Sequence, residues 1–593
     1  PDASKVGTLE LETPALPSEA CKEATVPLQE CPNASEREKT PLSGSIYVAK
    51  QDENPFASLL ALYFVVDDPR TGVIVKLPAE VQADPVTGRL TTVLKDTAQF
   101  PFSELRTHFF AGDTAALKAP ASCGSFALTS VLTPWSAPQS GPPATPSASF
   151  EVAQAPGGCA GQGFAPSFTA GTASSRAGAF SSFGVTFSRQ DGEQTVGGVS
   201  ITMPPGLLGI LKGITLCGEP QAAQGTCPSG SLIGEATAAV GAGRSPYWVH
   251  GGQVYLTGPY NGGPFGLSIV VPTTAGPYTL TGNAGVGKEV VRASIRVNPV
   301  TAQIVVVSDP LPSILQGIPL DIRTVHVDIT RGGFIFNPTS CDTMAVAGML
   351  SSTQGVSTNV SSRFQAAGCA GLAFKPSFTV STQAKTSKKA GASLDVKVAS
   401  GPGQANIRSV AVTLPKALPS RLSTIQQACP DSVFNANPAS CPIGSDIGVA
   451  TAVTPVLASP VAGPAYLVSH GGAAFPDLVI VLQGEGVTLD LDGSINIKKQ
   501  VTSSAFNSVP DAPISTFELK LPEGPHSGLA AILPAKAKGN LCGTRLEMPT
   551  TITGQNGVII KQNTKIQVTG CGKAKKKPKA KKRTQKGHGR RKK

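Results

Sequence analysis

The segment closest to a nucleotide-binding motif is GNAGVGKE at residues 282–289. A phosphate-binding P-loop requires Ser or Thr after its Gly-Lys pair, because that hydroxyl ligates magnesium. Glu289 occupies this position, and the residues that follow, VVRASIRV, are typical of a strand. A P-loop needs a helix there, whose N-terminus holds the phosphate. The segment therefore predicts a glycine-rich turn.

Two further groups combine residues that bind ligands. Asp490-Leu491-Asp492-Gly493 begins like a calcium loop, but no third ligand and no closing Glu follow at the required spacing. It predicts an Asp-Gly hairpin turn between two strands. His250 lies beside Trp248 in the run YWVHGG. This run predicts a turn packed by an aromatic side chain, and a small binding patch is the alternative.

The remaining histidines do not form a catalytic group in the sequence. No G-x-S-x-G pattern is present, and no CxxC pair lies near a histidine at zinc-ligand spacing. When the strands LRTHF, VHVDI and FELKL are aligned, His108 falls where Asp328 and Lys520 stand. A position that accepts His, Asp and Lys predicts a solvent-facing strand site rather than a general base. We therefore expect no catalytic residue, no metal site and no cofactor.

The C-terminal tail, residues 572–593, holds 13 Lys and Arg and no acidic residue. The other 37 basic and 38 acidic residues nearly cancel, so the formal charge of +12 resides in the tail. Such a segment predicts disorder. We expect it to contact an anionic envelope polymer, such as wall teichoic acid, or an acidic membrane surface; plain solubilisation is the alternative. Nucleic acid is disfavoured because the twelve cysteines upstream indicate an oxidising compartment, and base specificity is disfavoured because no aromatic residue interleaves with the lysines. The predicted contact residues are Lys575, Lys576, Lys577, Lys581, Lys582, Arg583, Arg590 and Arg591.

Twelve cysteines predict a disulfide framework and an oxidising compartment. They form three sets of four, spaced about 200 residues apart, and the simplest pairing joins neighbours within each set. Spacing alone does not fix the connectivity. The sets are Cys21, Cys31, Cys123 and Cys159; Cys217, Cys227, Cys341 and Cys369; and Cys429, Cys441, Cys542 and Cys571.

Local motifs recur in the same register as the cysteines. The second cysteine of each set opens C-P-x-x-S, at 31–35, 227–231 and 441–445. A G-x-x-Y motif follows in each copy and places Tyr47, Tyr255 and Tyr466 at equivalent positions. These motifs predict three repeats. The first copy starts in mid-unit, so we expect the native protein to extend N-terminally and to carry a signal peptide that this chain lacks.

The composition predicts an all-β fold. The 64 Gly and 51 Pro interrupt long helices, and strands such as VAVTL at 410–414 alternate apolar and polar residues. We expect tandem immunoglobulin-like β-sandwich modules, with each repeat split into a front and a rear module. No apolar run is long enough to span a membrane. The predicted segments are 1–40 (truncated front module), 41–162 (rear), 163–243 (front), 244–371 (rear), 372–460 (front), 461–571 (rear) and 572–593 (tail).

Several runs resemble a known group of proteins. The runs at 88–112 and 123–136, together with SDPLPSILQGIPLDIR at 308–323 and NPTSC at 337–341, are similar to modules of large secreted β-repeat proteins of high-GC Gram-positive bacteria. The resemblance covers the first two copies well and the third loosely. No activity is assigned to that group, so the resemblance implies an envelope location and no catalytic residue.

The sequence leaves three hypotheses for function. The first is a secreted or cell-surface structural repeat protein of the bacterial envelope, without catalytic activity. The second is an adhesion or glycan-binding array with a glycan or protein ligand, which requires exposed aromatic platforms on more than one module. The third is a secreted hydrolase, which requires convergent polar side chains in one cleft.

Overall fold

The computed structural model describes residues 2–15, 42–51, 53–69, 71–112, 115–120, 123–152, 163–243, 245–275, 278–533, 537 and 539–571. The fold is all-β, as predicted. Among the described residues, none of the helices has both the length and the apolar character needed to cross a membrane. The helices are α1 (Gln221–Gln224), α2 (Leu422–Ile425) and α3 (Asp431–Ala436).

The strands fall into three consecutive groups. The first group is β1 (Lys5–Glu12), β2 (Leu42–Val48), β3 (Ala61–Asp68), β4 (Val73–Ala83), β5 (Leu90–Val93), β6 (Glu104–Phe109), β7 (Gly124–Thr129) and β8 (Ser147–Val152). The second group is β9 (Ser167–Thr172), β10 (Phe180–Ser181), β11 (Phe183–Ser188), β12 (Val196–Thr202), β13 (Leu208–Gly209), β14 (Leu232–Val240), β15 (Tyr247–Thr257), β16 (Phe265–Pro272), β17 (Thr274–Ala275), β18 (Tyr278–Thr279), β19 (Thr281–Gly282), β20 (Gly285–Val286), β21 (Lys288–Val297), β22 (Ile304–Ser308), β23 (Ile314–Leu315), β24 (Ile318–Pro319), β25 (Thr324–Ile329), β26 (Ile335–Phe336), β27 (Met344–Ser352) and β28 (Ser357–Phe364). The third group is β29 (Ser377–Gln383), β30 (Leu394–Ala399), β31 (Ile407–Thr413), β32 (Cys429–Pro430), β33 (Asp446–Val453), β34 (Val461–Ser469), β35 (Asp477–Gly484), β36 (Val487–Lys498), β37 (Val501–Phe506), β38 (Thr516–Leu521), β39 (Glu547–Gly554) and β40 (Ile559–Thr569). We call the regions that these groups occupy units 1, 2 and 3.

Unit 2 is built on one sheet that curls until its edges meet. Its eleven strands follow the order β28-β27-β12-β22-β21-β16-β15-β14-β25-β11-β9. The two outer strands, β9 and β28, lie against each other, and Ser362 Oγ donates a hydrogen bond to the carbonyl oxygen of Ala170 at 2.9 Å. The sheet therefore encloses an interior, and one face of every strand points into it.

Unit 3 repeats this arrangement strand for strand. Its closed sheet follows the order β40-β39-β31-β37-β36-β35-β34-β33-β38-β30-β29, and β29 pairs with β40 to complete the ring. Each strand takes the place of its counterpart in unit 2. For example, β33 lies between β34 and β38 as β14 lies between β15 and β25. The two units therefore share one topology.

The expected division of each repeat into front and rear modules does not describe these sheets. The boundary between residues 243 and 244 separates β14 from β15, but these two strands pair directly. In the same way, β11 from the front segment pairs with β25 from the rear segment. Units 2 and 3 are therefore each built on one rolled sheet that combines strands of the front and the rear segment.

Unit 1 contains part of the same pattern within its described residues. Its six-stranded sheet follows the order β5-β4-β3-β2-β1-β6, which matches the run β22-β21-β16-β15-β14-β25 of unit 2. A separate hairpin, β7-β8, corresponds to β27-β28. The glycines at the start of β1, β14 and β33 support this register, because each lies against the backbone of a neighbouring strand. A Cβ atom on Gly7 would lie 2.5 Å from the carbonyl oxygen of His108. On Gly234 it would lie 2.1 Å from that of Asp328, and on Gly448 it would lie 2.3 Å from that of Lys520.

This register corrects the placement of the first two cysteines. In units 2 and 3 the cysteine pair precedes β14 and β33, whereas Cys21 and Cys31 follow β1. The sequence PDASKVG at residues 1–7 corresponds instead to the P-x-x-S-x-I-G of the later copies, with Val6 in place of Ile, and the 3-10 helix Asp2–Ser4 leads directly into β1. Ser229–Ser231 and Ile443–Ser445 lead into β14 and β33 in the same way. The C-P-x-x-S motif at 31–35 is therefore not the counterpart of the later two.

Four disulfides join neighbouring cysteines, as the simplest pairing predicted. They are Cys217–Cys227, Cys341–Cys369, Cys429–Cys441 and Cys542–Cys571. Cys123 is also disulfide-bonded. Its predicted partner Cys159, together with Cys21 and Cys31, lies outside the described residues. In unit 3 the Cys429–Cys441 bridge covers the outer wall of the sheet, where Phe434 packs on Tyr466.

Units 2 and 3 stack end to end. The backbone amide of Leu211 donates to the carbonyl oxygen of Val456 at 2.8 Å, and that of Asp490 donates to Pro299 at 2.8 Å. Phe265 of unit 2 belongs to the same buried apolar cluster as the interior of unit 3. The two interiors therefore face each other across the junction.

Candidate functional site

A continuous apolar cavity of about 470 Å³ runs through the interiors of units 2 and 3. Successive side chains of a strand point to opposite faces, so every second residue of a strand faces the cavity. Along β21 the residues that line it are Val291, Ala293, Ile295 and Val297. Along β36 they are Val487, Leu489, Leu491 and Ile495. Strands of units 2 and 3 thus contribute to one shared space.

The residues between the lining positions point away from the cavity. Arg292, which alternates with Val291 and Ala293, stacks its guanidinium 4.1 Å from the ring centre of Tyr260. It also pairs with Glu219 at 2.7 Å. Alternation therefore keeps the charges of this strand on the outer wall, and among the residues that the structure describes no charged side chain lines the cavity.

The lining includes five hydroxyl side chains, and four of them are hydrogen-bonded within the protein. The amide of Val199 donates to Ser308 Oγ at 3.0 Å, and Thr454 Oγ1 donates to the carbonyl oxygen of Pro513 at 2.7 Å. Thr502 Oγ1 and Ser420 Oγ bond to each other at 2.9 Å. The fifth, Ser504 Oγ, is buried and has no hydrogen-bond partner.

A buried carboxylate holds the junction between the two units. Asp511, which is 5% exposed, follows β37 in unit 3 and accepts hydrogen bonds from the backbone amides of Thr339 and Ser340 of unit 2, at 2.8 and 2.9 Å. It also accepts from Thr339 Oγ1 at 2.6 Å and from Asn406 Nδ2 at 2.8 Å. Because Thr339 and Ser340 belong to unit 2 and Asp511 belongs to unit 3, these hydrogen bonds fix the position of the two units relative to each other.

Two of the sequence motifs with possible chemistry lie away from this cavity. The run at 282–289 is a glycine-rich turn, as predicted: β19 and β20 form a short hairpin, and the amide of Asn283 donates to Glu289 Oε2 at 2.8 Å. His108 lies on an exposed strand, and the equivalent Asp328 and Lys520 are also partly exposed, which confirms the solvent-facing position.

Two of the predicted turns are wrong. Asp492-Gly493 lies in the middle of β36, because Leu489, Leu491 and Ile495 must alternate into the cavity. Gly493 is needed there for space, since a Cβ atom would lie 2.5 Å from the ring of Phe506. The run YWVHGG likewise lies at the start of β15, where Trp248 is 47% exposed and stacks against His250.

One group of histidine and carboxylates on the outer surface of unit 3 has the donor types that bind a divalent cation. The ligand atoms of His470, Asp477 and Asp492 lie within 4.8 Å of one another. His470 Nδ1 also lies 3.2 Å from Asp431 Oδ1, and its Nε2 lies 3.4 Å from Asp477 Oδ2. Burial, and then Asp477, raises the pKa of Asp492, whereas His470 opposes the rise.

The other predicted site residues that the structure describes form no further cluster of metal-ligand side chains. The repeated tyrosines are not exposed platforms in the later copies, because Tyr255 and Tyr466 are each 8% exposed and pack on the outer wall under the disulfide loops. The eight predicted contact residues of the tail lie outside the described residues. A comparison with protein-family models finds none that matches the chain, and a comparison with curated protein sequences finds no match either.

Proposed function

We propose that this protein binds a long apolar molecule in the cavity shared by units 2 and 3, without catalysing a reaction. The single observation that carries this proposal is the continuous, uncharged lining. Its volume of about 470 Å³ lies within the roughly 300–1,000 Å³ of small-molecule sites. Because the cavity extends through the interiors of two successive units, it favours a long, chain-like ligand.

The free energy of filling such a cavity supports the proposal. Residual cavities in protein cores cost about 24 cal/mol per Å³. For about 470 Å³ the cost is on the order of 10 kcal/mol, comparable with the net stability of ~5–15 kcal/mol of a whole protein. A bound chain gains roughly 0.8 kcal/mol for each methylene that leaves water. Ligand binding therefore offsets a large penalty that the empty fold carries.

The disulfides support an extracellular or cell-surface location, because such bridges persist in oxidising compartments. A hydrolase is not favoured, since the hydroxyls of the lining have no histidine or carboxylate beside them. Adhesion through repeated aromatic platforms is not favoured either, since two of the three equivalent tyrosines are buried.

A structural role at the envelope is the second candidate function. The hydrogen bonds of Asp511 across the junction favour it, because they join units 2 and 3 into a stiff stack. In this role the basic tail would hold the stack to anionic envelope polymers. Apolar-chain binding and a structural role are compatible, since the first uses the interior and the second the outer surface.

A blocked cavity tests the proposal. Val412 lines the cavity, and its neighbour Ala411 is exposed on the outer face of β31. We expect the fluorescent probe N-phenyl-1-naphthylamine to bind the intact protein and the A411W variant, and to bind V412W at least tenfold more weakly. Equal binding to V412W and A411W, with both variants folded, would show that the probe occupies another site.

A further inference from the structure

Ser504 is a polar residue at a position where the fold accepts an apolar one. It lies on β37 between Val412 of β31 and Ile495 of β36. In unit 2 the equivalent strand β22 has Val306 at this position, between Ile201 and Ile295. All six side chains line the cavity. The serine is therefore not required by the sheet, because the same surroundings hold a valine in the other unit.

The hydroxyl of Ser504 also lacks what buried polar groups need. Its Oγ is buried without a hydrogen-bond partner. A buried donor without an acceptor is destabilising, and each such group in a native protein calls for an explanation. The neighbouring Ser503 points to the opposite face and donates to the carbonyl oxygen of Asn496 at 3.4 Å. Of this pair only Ser504 is among the residues that line the cavity, and its hydroxyl has no acceptor in the protein.

We propose that the ligand is a neutral long-chain ester whose carbonyl oxygen accepts a hydrogen bond from Ser504 Oγ. This inference rests on the proposed function. A fatty-acid carboxylate is disfavoured, because no cationic side chain lines the described part of the cavity and an unpaired buried charge is costly. A long-chain alcohol is disfavoured, because its hydroxyl would bring a second donor, and the other polar lining side chains are already bonded within the protein. An ester brings acceptors alone.

The position of Ser504 along the cavity places the ester between two alkyl arms. Thr502 and Ser420 lie on one side of it, at the end of unit 3 distant from the junction. Phe506 lies on the other side, and beyond it the lining continues through Val509 into unit 2. A short arm would therefore lie within unit 3, and a longer arm would cross the junction.

The test compares a dialkyl ester with the alkane of the same chain length, each displacing N-phenyl-1-naphthylamine from the full-length protein. We expect the wild type to prefer the ester roughly two- to tenfold, the effect of one neutral hydrogen bond. The S504V variant should lose this preference and keep its affinity for the alkane. Folding should tolerate the change, because Val306 occupies the equivalent position. The matched control S503V should keep the preference.

The outcomes separate this inference from the proposed function. If the wild type binds both ligands equally, or if S504V keeps the preference for the ester, Ser504 does not recognise the ligand. If neither ligand displaces the probe from the wild type, the proposed function itself fails, and the inference fails with it. Loss of the preference in S503V as well as in S504V would also overturn the assignment, because Ser503 does not face the cavity.

Discussion

Removing the carboxylate of Asp511 should destabilise the junction between units 2 and 3. The D511A variant loses four hydrogen bonds, two from the backbone amides of Thr339 and Ser340 and two from the side chains of Thr339 and Asn406. A hydrogen bond to a charged group contributes about 1.5–3 kcal/mol, but values within one network do not add. Each buried donor that is left without an acceptor costs about 1–3 kcal/mol, so the loss for the whole network should reach about 3–5 kcal/mol. We expect a loss in this range in the free energy of unfolding, measured by urea denaturation.

An exposed ion pair across the same junction is the matched control. Arg408 of unit 3 lies 3.4 Å from Asp342 of unit 2, and both side chains are at least half exposed. The D342A variant should lose about 0–1 kcal/mol, as exposed pairs do. A loss below about 1 kcal/mol in D511A, or equal losses in both variants, would refute the view that the buried carboxylate holds the units together.

Three further predictions follow from the same structure. The G234A variant should lose about 1–3 kcal/mol in the free energy of unfolding measured by urea titration, because its Cβ would lie 2.1 Å from the carbonyl oxygen of Asp328. The control G171A should change little in the same titration, because its Cβ would meet no atom within 4 Å. Burial raises the pKa of Asp490, so the folded state holds the carboxyl proton more tightly than the unfolded state does. The free energy of unfolding should therefore fall as the pH rises from the ordinary pKa of an aspartate through the raised pKa of Asp490. The D490N variant should remove this fall, and a pH dependence of unfolding equal to that of the wild type would contradict the prediction. Replacing Cys429 and Cys441 together by serine should cost roughly 3 kcal/mol, and a melting temperature equal to that of the wild type would contradict this.

Local signals in the sequence predicted many of the strands and the simplest pairing of the four described disulfides, but they missed the strands that contain Asp492-Gly493 and YWVHGG. Alternation such as VAVTL at 410–414 marks a strand with one apolar face, and β31, which ends at Thr413, contains all of these residues except the last. The same alternation could not show what the apolar face contacts. Val412 lines a cavity, but a valine packed against a second sheet would have the same neighbours in sequence.

The interleaving of front and rear segments was not predictable from local patterns, since β11 and β25 are separated by more than 130 residues. The misplaced Cys21 and Cys31 have a different cause. The complete C-P-x-x-S motif occurs at 31–35. The true counterpart at residues 1–7 carries only the P-x-x-S part of the motif, so a search for the cysteine does not find it. The signal for Ser504 was present in the sequence, but it required the strand register that equates it with Val306.

The central claim is that the shared interior of units 2 and 3 holds a long apolar molecule. The most direct measurement is native mass spectrometry of the full-length protein, disulfides intact, after incubation with a dialkyl ester. We predict one ester bound per wild-type chain and per A411W chain, and none bound to V412W. The absence of bound ester on the wild type, or its equal retention by V412W, would contradict the claim.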